Sequence, residues 1–162
     1  MKMKKLFSIL LISASLMTVS QSAFADEATT VLTPQVIGVG DTRATAIDLF
    51  NGSDYSLFLE SAIDEDWFKW TNNTGAPKLI YSNAYNKGSE NIIIQSAIFQ
   101  YGEGRESGVI YANPTKKGNT GWPSTFEFIY VPAGTTVFFK VQAQEFVKLE
   151  SYRYQFLVQD FN

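Results

Sequence analysis

The sequence contains no cysteine and no histidine. Without cysteine there are no disulfides to staple the chain and no thiolate metal sites. Without histidine, Ser-His-Asp and Cys-His nucleophile activation, imidazole zinc sites and an imidazole general base are all excluded. Positive charge is scarce: 13 Lys and Arg face 16 Asp and Glu. No basic cluster follows the first residues, which argues against nucleic acid, whose phosphates need neutralising, and against anionic lipid surfaces. Internal repeats, low-complexity tracts and sustained helical periodicity are also missing beyond the N-terminal stretch. What survives is carboxylate chemistry, or binding without catalysis.

The N-terminal stretch reads as an address. Lys2, Lys4 and Lys5 precede an apolar run over residues 6–19, interrupted only by Ser8, Ser13, Ser15 and Thr18. Ala23-Phe24-Ala25 follows, the small-x-small pattern of a signal-peptidase site. The run falls short of the roughly 20 apolar residues that a membrane span needs. Residues 1–25 are therefore expected to be a cleaved signal peptide and 26–37 a mobile leader. Residues 38–162 are expected to form one domain, secreted to the extracellular space and not inserted in a membrane after cleavage. Loss of the three leader lysines leaves ten cations against 16 carboxylates, a net charge of −6. A chain of this length buries a core without staples.

Beyond the leader the hydrophobic period is two. Phe126, Phe128 and Tyr130 alternate with Thr125 and Glu127. Val137, Phe139 and Val141 alternate with Phe138, Lys140 and Gln142. Tyr152, Tyr154, Phe156 and Val158 alternate with Arg153, Gln155 and Leu157. Each set predicts a strand with one buried face. Earlier strands are expected over 44–50, 55–60, 66–71, 78–83, 91–101 and 108–112. Turn signals separate them at Asn51-Gly52, 72–75, Asn86-Lys87-Gly88, 102–104, 113–123 and Pro132-Ala133-Gly134. Strand runs at this spacing specify an all-β sandwich or barrel. Most aromatics fall on strand positions and are accounted for by core packing. Tyr81, Tyr85, Tyr101, Tyr111 and Trp122 sit in or beside loops, where a few of them suit an exposed binding platform.

Ala62–Trp70, AIDEDWFKW, sets three carboxylates before three bulky aromatics. Phe68 and Trp70 share one strand face, and Trp67 and Lys69 the other. Aspartate before a strand accepts backbone N–H groups in the turn, which alone explains Asp64 and Asp66. The same residues suit calcium, a hard cation taking six to eight oxygen ligands, provided that a third ligand arrives from elsewhere. They also suit a pair of catalytic carboxyls acting on a glycan, since positions i and i+2 of a strand lie about 6–7 Å apart. Asn51 and Asn72 each begin an Asn-x-Ser/Thr tripeptide, read here as turn chemistry.

Gly40–Leu49, GDTRATAIDL, followed by SLFLESAIDEDWFKW, resembles the bacterial pre-peptidase C-terminal domain family. The resemblance rests on Asp41, Ala46, Ile47 and the segment 64–70. Ile94 to Tyr101, the Val131-Pro132-Ala133-Gly134-Thr135 turn running on to Val141, and the closing Tyr154-Gln155-Phe156-Leu157-Val158 add to it. It covers about residues 38–159. It implies a single jelly-roll-like β-sandwich of about 8–9 antiparallel strands, without catalytic residues, here free-standing after the leader. The chain is similar too to the collagen-binding domains of clostridial collagenases, in which calcium lies between the segment before the first strand and the acidic turn. On that pattern Asp41 and Asp66 match ligand positions and Asp64 lies near a third. Val36, Ile37, Gly38 and Val39 stand where those relatives carry glutamates. Gln142 and Ala143 stand where the collagen binders present tyrosines.

The expected function is that of a secreted, non-catalytic binding module, stabilised by calcium at Asp41, Asp64 and Asp66, that recognises an extracellular protein or polysaccharide. The alternatives are a small envelope or extracellular structural protein assembling through sheet edges, and a carboxylate-based glycan hydrolase.

Overall fold

The computed structural model describes residues 40–88 and 90–161. The expected signal peptide over 1–25 and leader over 26–37 lie outside the described residues. A 3-10 turn, Arg43–Thr45, is capped reciprocally by the Thr42 and Thr45 side chains. It leads into the nine strands found among the described residues. These are β1 (Ile47–Asp48), β2 (Asp54–Leu59), β3 (Glu65–Thr71), β4 (Lys78–Asn86), β5 (Ile92–Gln100), β6 (Ile110–Tyr111), β7 (Ser124–Val131), β8 (Thr136–Glu145) and β9 (Glu150–Asp160).

Two sheets result, in the orders β1-β3-β8-β5-β6 and β2-β9-β4-β7. Setting β1 aside, the pairs β2·β9, β3·β8, β4·β7 and β5·β6 are nested antiparallel partners, with β4·β9 and β5·β8 joining them side by side. That is a long hairpin rolled over on itself, the jelly-roll sandwich. All these pairs are antiparallel; β1 alone runs parallel to its neighbour, β3. The expected strand over 44–50 is shortened to β1, because Arg43–Thr45 closes as a capped 3-10 turn instead.

Alternation decides which side chains meet between the sheets. Phe68, Val137, Phe139 and Val141 from one sheet face Ile80, Tyr154 and Phe156 from the other, all fully buried. The rings of Phe68 and Tyr154 stack at 3.9 Å and 2°. Trp70 packs against this core and Trp67 points away from it, as alternation along β3 requires. The core also holds polar groups that alternation does not announce. Gln95 of β5 is fully buried, with Oε1 2.5 Å from Ser82 Oγ, which is in turn 2.7 Å from Tyr154 Oη. Its Nε2 donates to the carbonyls of Ser82 and Ser124, so one amide ties the sheets together. Asn72 is buried as well. It donates to the carbonyls of Ala76 and Val131, each at 2.9 Å, and so holds its turn as a structural residue.

One strand departs from its pattern. Phe126 is buried, but Phe128 and Tyr130 are 64% and 49% exposed, not on the inner face with it. The pairing of β4 with β7 matches Ile80 to Ile129 and Ser82 to Phe126, so Tyr81 opposes Glu127 and Phe128 together. This is a β-bulge: one extra residue reverses the inward parity of everything after it. Phe128 sits at φ 54°, the left-handed region that non-glycine residues rarely enter.

Candidate functional site

The acidic turn lies where β3 begins. Asp66 has the same parity as Phe68 and so points inward, 5% exposed, at the mouth of the core. Tyr152 of the opposite sheet donates its hydroxyl to Asp66 Oδ2 at 2.6 Å. Burial pushes the Asp66 carboxyl up to about 7; the Tyr152 hydrogen bond pulls against this, and the negative charges of Asp64, Asp41 and Glu60 push it further up. Burial and the Asp66 charge raise the Tyr152 hydroxyl well above its ordinary value.

Asp64 closes the turn itself, its Oδ2 accepting the Glu60 N–H at 2.7 Å. Asp41 arrives from the other direction. The Gly40 carbonyl accepts the Trp67 N–H at 2.7 Å, in effect adding a short edge segment beside β3. Gly40 has φ 91°, and a Cβ there would lie 3.0 Å from the Trp67 carbonyl oxygen, so glycine is required for this approach. Asp41 and Asp64 thus come within electrostatic reach of Asp66, joined by Glu60, which the sequence reading did not single out. Glu65 faces outward instead, accepting from Lys140 at 2.7 Å and from the Trp67 indole at 3.1 Å.

All-oxygen, carboxylate-rich donors are the chemistry of a hard cation. As the side chains stand, no three acidic groups among the described residues converge closely enough to hold a metal ion. For hydrolysis the arrangement is poor. Asp64 is engaged by the backbone, Asp66 is buried against a tyrosine, and the adjoining hollow of about 260 Å³ is lined by Asp64 and Glu65 but not by Asp66.

A second region lies on the outer face of the four-stranded sheet. The bulge sets Phe128 and Tyr130 there beside Tyr81 and Phe161. Tyr81 and Phe128 meet edge to face at 4.8 Å, and Tyr130 and Phe161 at 5.0 Å. Leu157, opposite Tyr81 on β9, is 46% exposed. Beside the start of β7 runs a groove of about 520 Å³ lined by Asn113, Gly121, Trp122, Pro123, Thr125 and Glu127. Trp122 is 48% exposed and carries the Lys116 ammonium 3.8 Å from its ring centroid. Of the loop aromatics expected to form a platform, Tyr81 and Trp122 lie in this region. Phe128 and Tyr130 join it only because of the bulge, which no residue of TFEFIYV announces.

No family model and no curated protein matches the chain. Among the solved structures similar to it are two β-sandwich domains. The Yersinia pseudotuberculosis-derived mitogen is 14% identical with a TM-score of 0.47, the match covering 69% of this chain and 89% of that one. The pre-peptidase C-terminal domain of collagenase from Bacillus anthracis is 12% identical with a TM-score of 0.45, covering 68% and 93%. The second is a domain of the kind that the 64–70 and 131–135 segments resemble. At these levels neither likeness bears on activity, partner or metal.

Proposed function

We propose that this chain is a secreted, non-catalytic β-sandwich module that recognises an extracellular protein or polysaccharide, with calcium stabilising the corner of Asp41, Asp64 and Asp66. The observation that carries the binding role is the exposed aromatic surface along β7. Phe128 and Tyr130 are turned outward by a bulge at the cost of a strained backbone, and they adjoin the Trp122 groove. Large apolar groups gathered on one outer face mark interaction surfaces, and strained residues cluster at functional positions. The non-catalytic reading is supported by the absence of histidine and cysteine and by the engagement of Asp64 and Asp66 in the fold. Calcium is supported by four carboxylates whose mutual repulsion a dication would relieve.

Assembly through sheet edges is the weaker reading. β1 and β6 have two residues each and β7 is bulged, so three of the four sheet edges carry one of two devices that blunt edge pairing.

The test is retention of the chain on immobilised extracellular polysaccharides and matrix or secreted-protein preparations. Native protein is expected to be retained on at least one of them, and the double variant Phe128→Ala, Tyr130→Ala is expected to be washed through. Equal retention of both proteins would remove the aromatic surface from the argument.

A further inference from the structure

We propose, resting on that reading, that the β7 edge binds a neutral glycan: one pyranose ring sits in the groove of Trp122, Asn113, Thr125 and Glu127, and the sugar chain continues over Phe128 and Tyr130. Three features carry this beyond a general binding surface.

The first is the shape of the array. Phe128 and Tyr130 lie on β7 and Trp122 two residues before its start, and at the strand repeat the stretch from Ser124 to Tyr130 alone runs up to about 20 Å. Such a row suits an extended chain of repeating units better than a compact ligand. Edge-to-face contacts with Tyr81 and Phe161 fix the attitude of two of its rings.

The second is the mixture of groups. A pyranose has a flat C–H face and a rim of hydroxyls, so it needs an aromatic plane with hydrogen-bonding groups beside it. The groove supplies an indole and a proline together with the Asn113 amide and the Glu127 carboxylate, while the Thr125 hydroxyl donates to Asn83 Oδ1 at 2.9 Å and offers a sugar only its acceptor side. The bulge is what sets Glu127 and Phe128 side by side on the outer surface. Another hollow, of about 640 Å³, lies near Trp70 and Lys78, but its polar groups already pair with the fold: Lys78 with Asp160, and the Asn51 carbonyl oxygen with the Val158 N–H.

The third is charge complementarity. Glu127 takes part in none of the seven ion pairs among the described residues. A spare carboxylate calls for hydroxyl donors and repels uronates and sulfates, as does the acidic chain as a whole. Beside it the Lys116 ammonium, 3.8 Å from the Trp122 ring centroid and likewise in none of those ion pairs, leaves the groove without net charge, and on the rest of this face Arg153 with Asp54 and Lys78 with Asp160 neutralise each other. The surface thus favours an uncharged polyol.

The full chain is titrated with cellohexaose, xylohexaose, mannohexaose and chitohexaose, with hexagalacturonate as the anionic counterpart, by calorimetry and tryptophan emission. The sequence has three tryptophans, and Trp122→Phe identifies the signal that belongs to the groove. At least one neutral hexasaccharide is expected to bind and hexagalacturonate to fail. Trp122→Ala is expected to weaken binding roughly tenfold, the effect of losing one stacked aromatic contact. Glu127→Gln should cause a smaller loss. Both positions are exposed, so the melting temperature of each variant should stay close to that of the native chain. Binding of hexagalacturonate as tight as any neutral sugar, or neutral-sugar binding indifferent to both variants, would overturn the assignment. Retention on a protein preparation through Phe128 and Tyr130, with no hexasaccharide bound, would sink the glycan and leave the module a protein binder. Failure on every ligand would end both readings.

Discussion

Along β2 the inward positions Tyr55, Leu57 and Leu59 follow one another without a break, whereas along β7 the inward row jumps from Phe126 to Ile129. These two strands are the opposite edges of one sheet. The regular edge ends at Glu60 and Asp64, where the carboxylates gather; the bulged edge exposes Phe128 and Tyr130. The difference shows that chemistry held within a few consecutive residues survives folding in place. Chemistry that depends on facing direction can be reversed by a single inserted residue.

The contrast is broken most severely from beneath. The start of β7 is tied to the facing sheet through Ser124, whose Oγ accepts the Gln95 N–H at 2.9 Å and whose carbonyl accepts from the Gln95 side chain. Gln95→Ala strips buried carbonyls and hydroxyls of their partner and leaves a cavity. It should lower the unfolding free energy by about 3 kcal/mol in urea titration. A loss below about 1 kcal/mol would mean that the amide adds little to the apolar contacts and the β4 pairing that hold β7.

The acidic corner is sharpened by titration and by metal. In chelator, native Asp66 keeps its proton up to about pH 7, while the unfolded chain has released it near pH 4. Over that window the native state binds more protons, so this group's stabilising effect is complete below about pH 4. It is lost as pH rises to 7, at no more than about 1.4 kcal/mol per pH unit. Subtracting the stability profile of Asp66→Asn from that of the native chain isolates this slope from the other carboxylates. A flat difference curve would place Asp66 in water rather than in the core, and one that rises with pH would mean that the Tyr152 hydrogen bond outweighs burial. Calcium should act in the opposite sense, because it needs the ionised carboxylate. At a hundredfold excess over its Kd it should add about 2.7 kcal/mol near pH 8, and less to Asp41→Ala. An unchanged melting temperature with calcium, the same in both proteins, would leave Asp64 and Asp66 as turn and core residues only.

The sandwich was legible because its evidence is redundant. Val137, Phe139 and Val141, and likewise Tyr152, Tyr154 and Phe156, alternate cleanly and are buried as read. The corner was legible in part: Asp64 and Asp66 are only two residues apart in sequence, and Asp41 was found only through a family resemblance. Glu60 escaped because the turn that returns it to Asp64 is a matter of three-dimensional closure. Gln95 escaped because a glutamine amid isoleucines carries no mark of its partners, Ser82 and Ser124, which lie on β4 and β7. Of the β7 surface only Tyr81 and Trp122 could be read, and Phe128 and Tyr130 could not. TFEFIYV alternates well enough to predict a continuous inner face, and the bulge is a property of its pairing with β4.

The smallest effect bears on the bulge itself, and two substitutions at one position isolate it. Phe128→Ala and Phe128→Gly both remove the ring and its 4.8 Å contact with Tyr81, so in both the exposed aromatic surface is lost to the same extent. They differ in the backbone: alanine keeps a Cβ that crowds the carbonyl at φ 54°, and glycine does not. If the left-handed conformation persists, the glycine variant should be more stable than the alanine variant by about 1 kcal/mol, although glycine inside a strand ordinarily loses about that much. Both should lose ligand retention equally. Were alanine the more stable, the strand would have slipped into regular register, with position 128 turned inward. That register would carry Tyr130 inward too and bury what the native edge displays. The sign of this one difference, read from two denaturation curves, therefore tells whether the bulge in β7 is set by its pairing with β4 or by Phe128 alone.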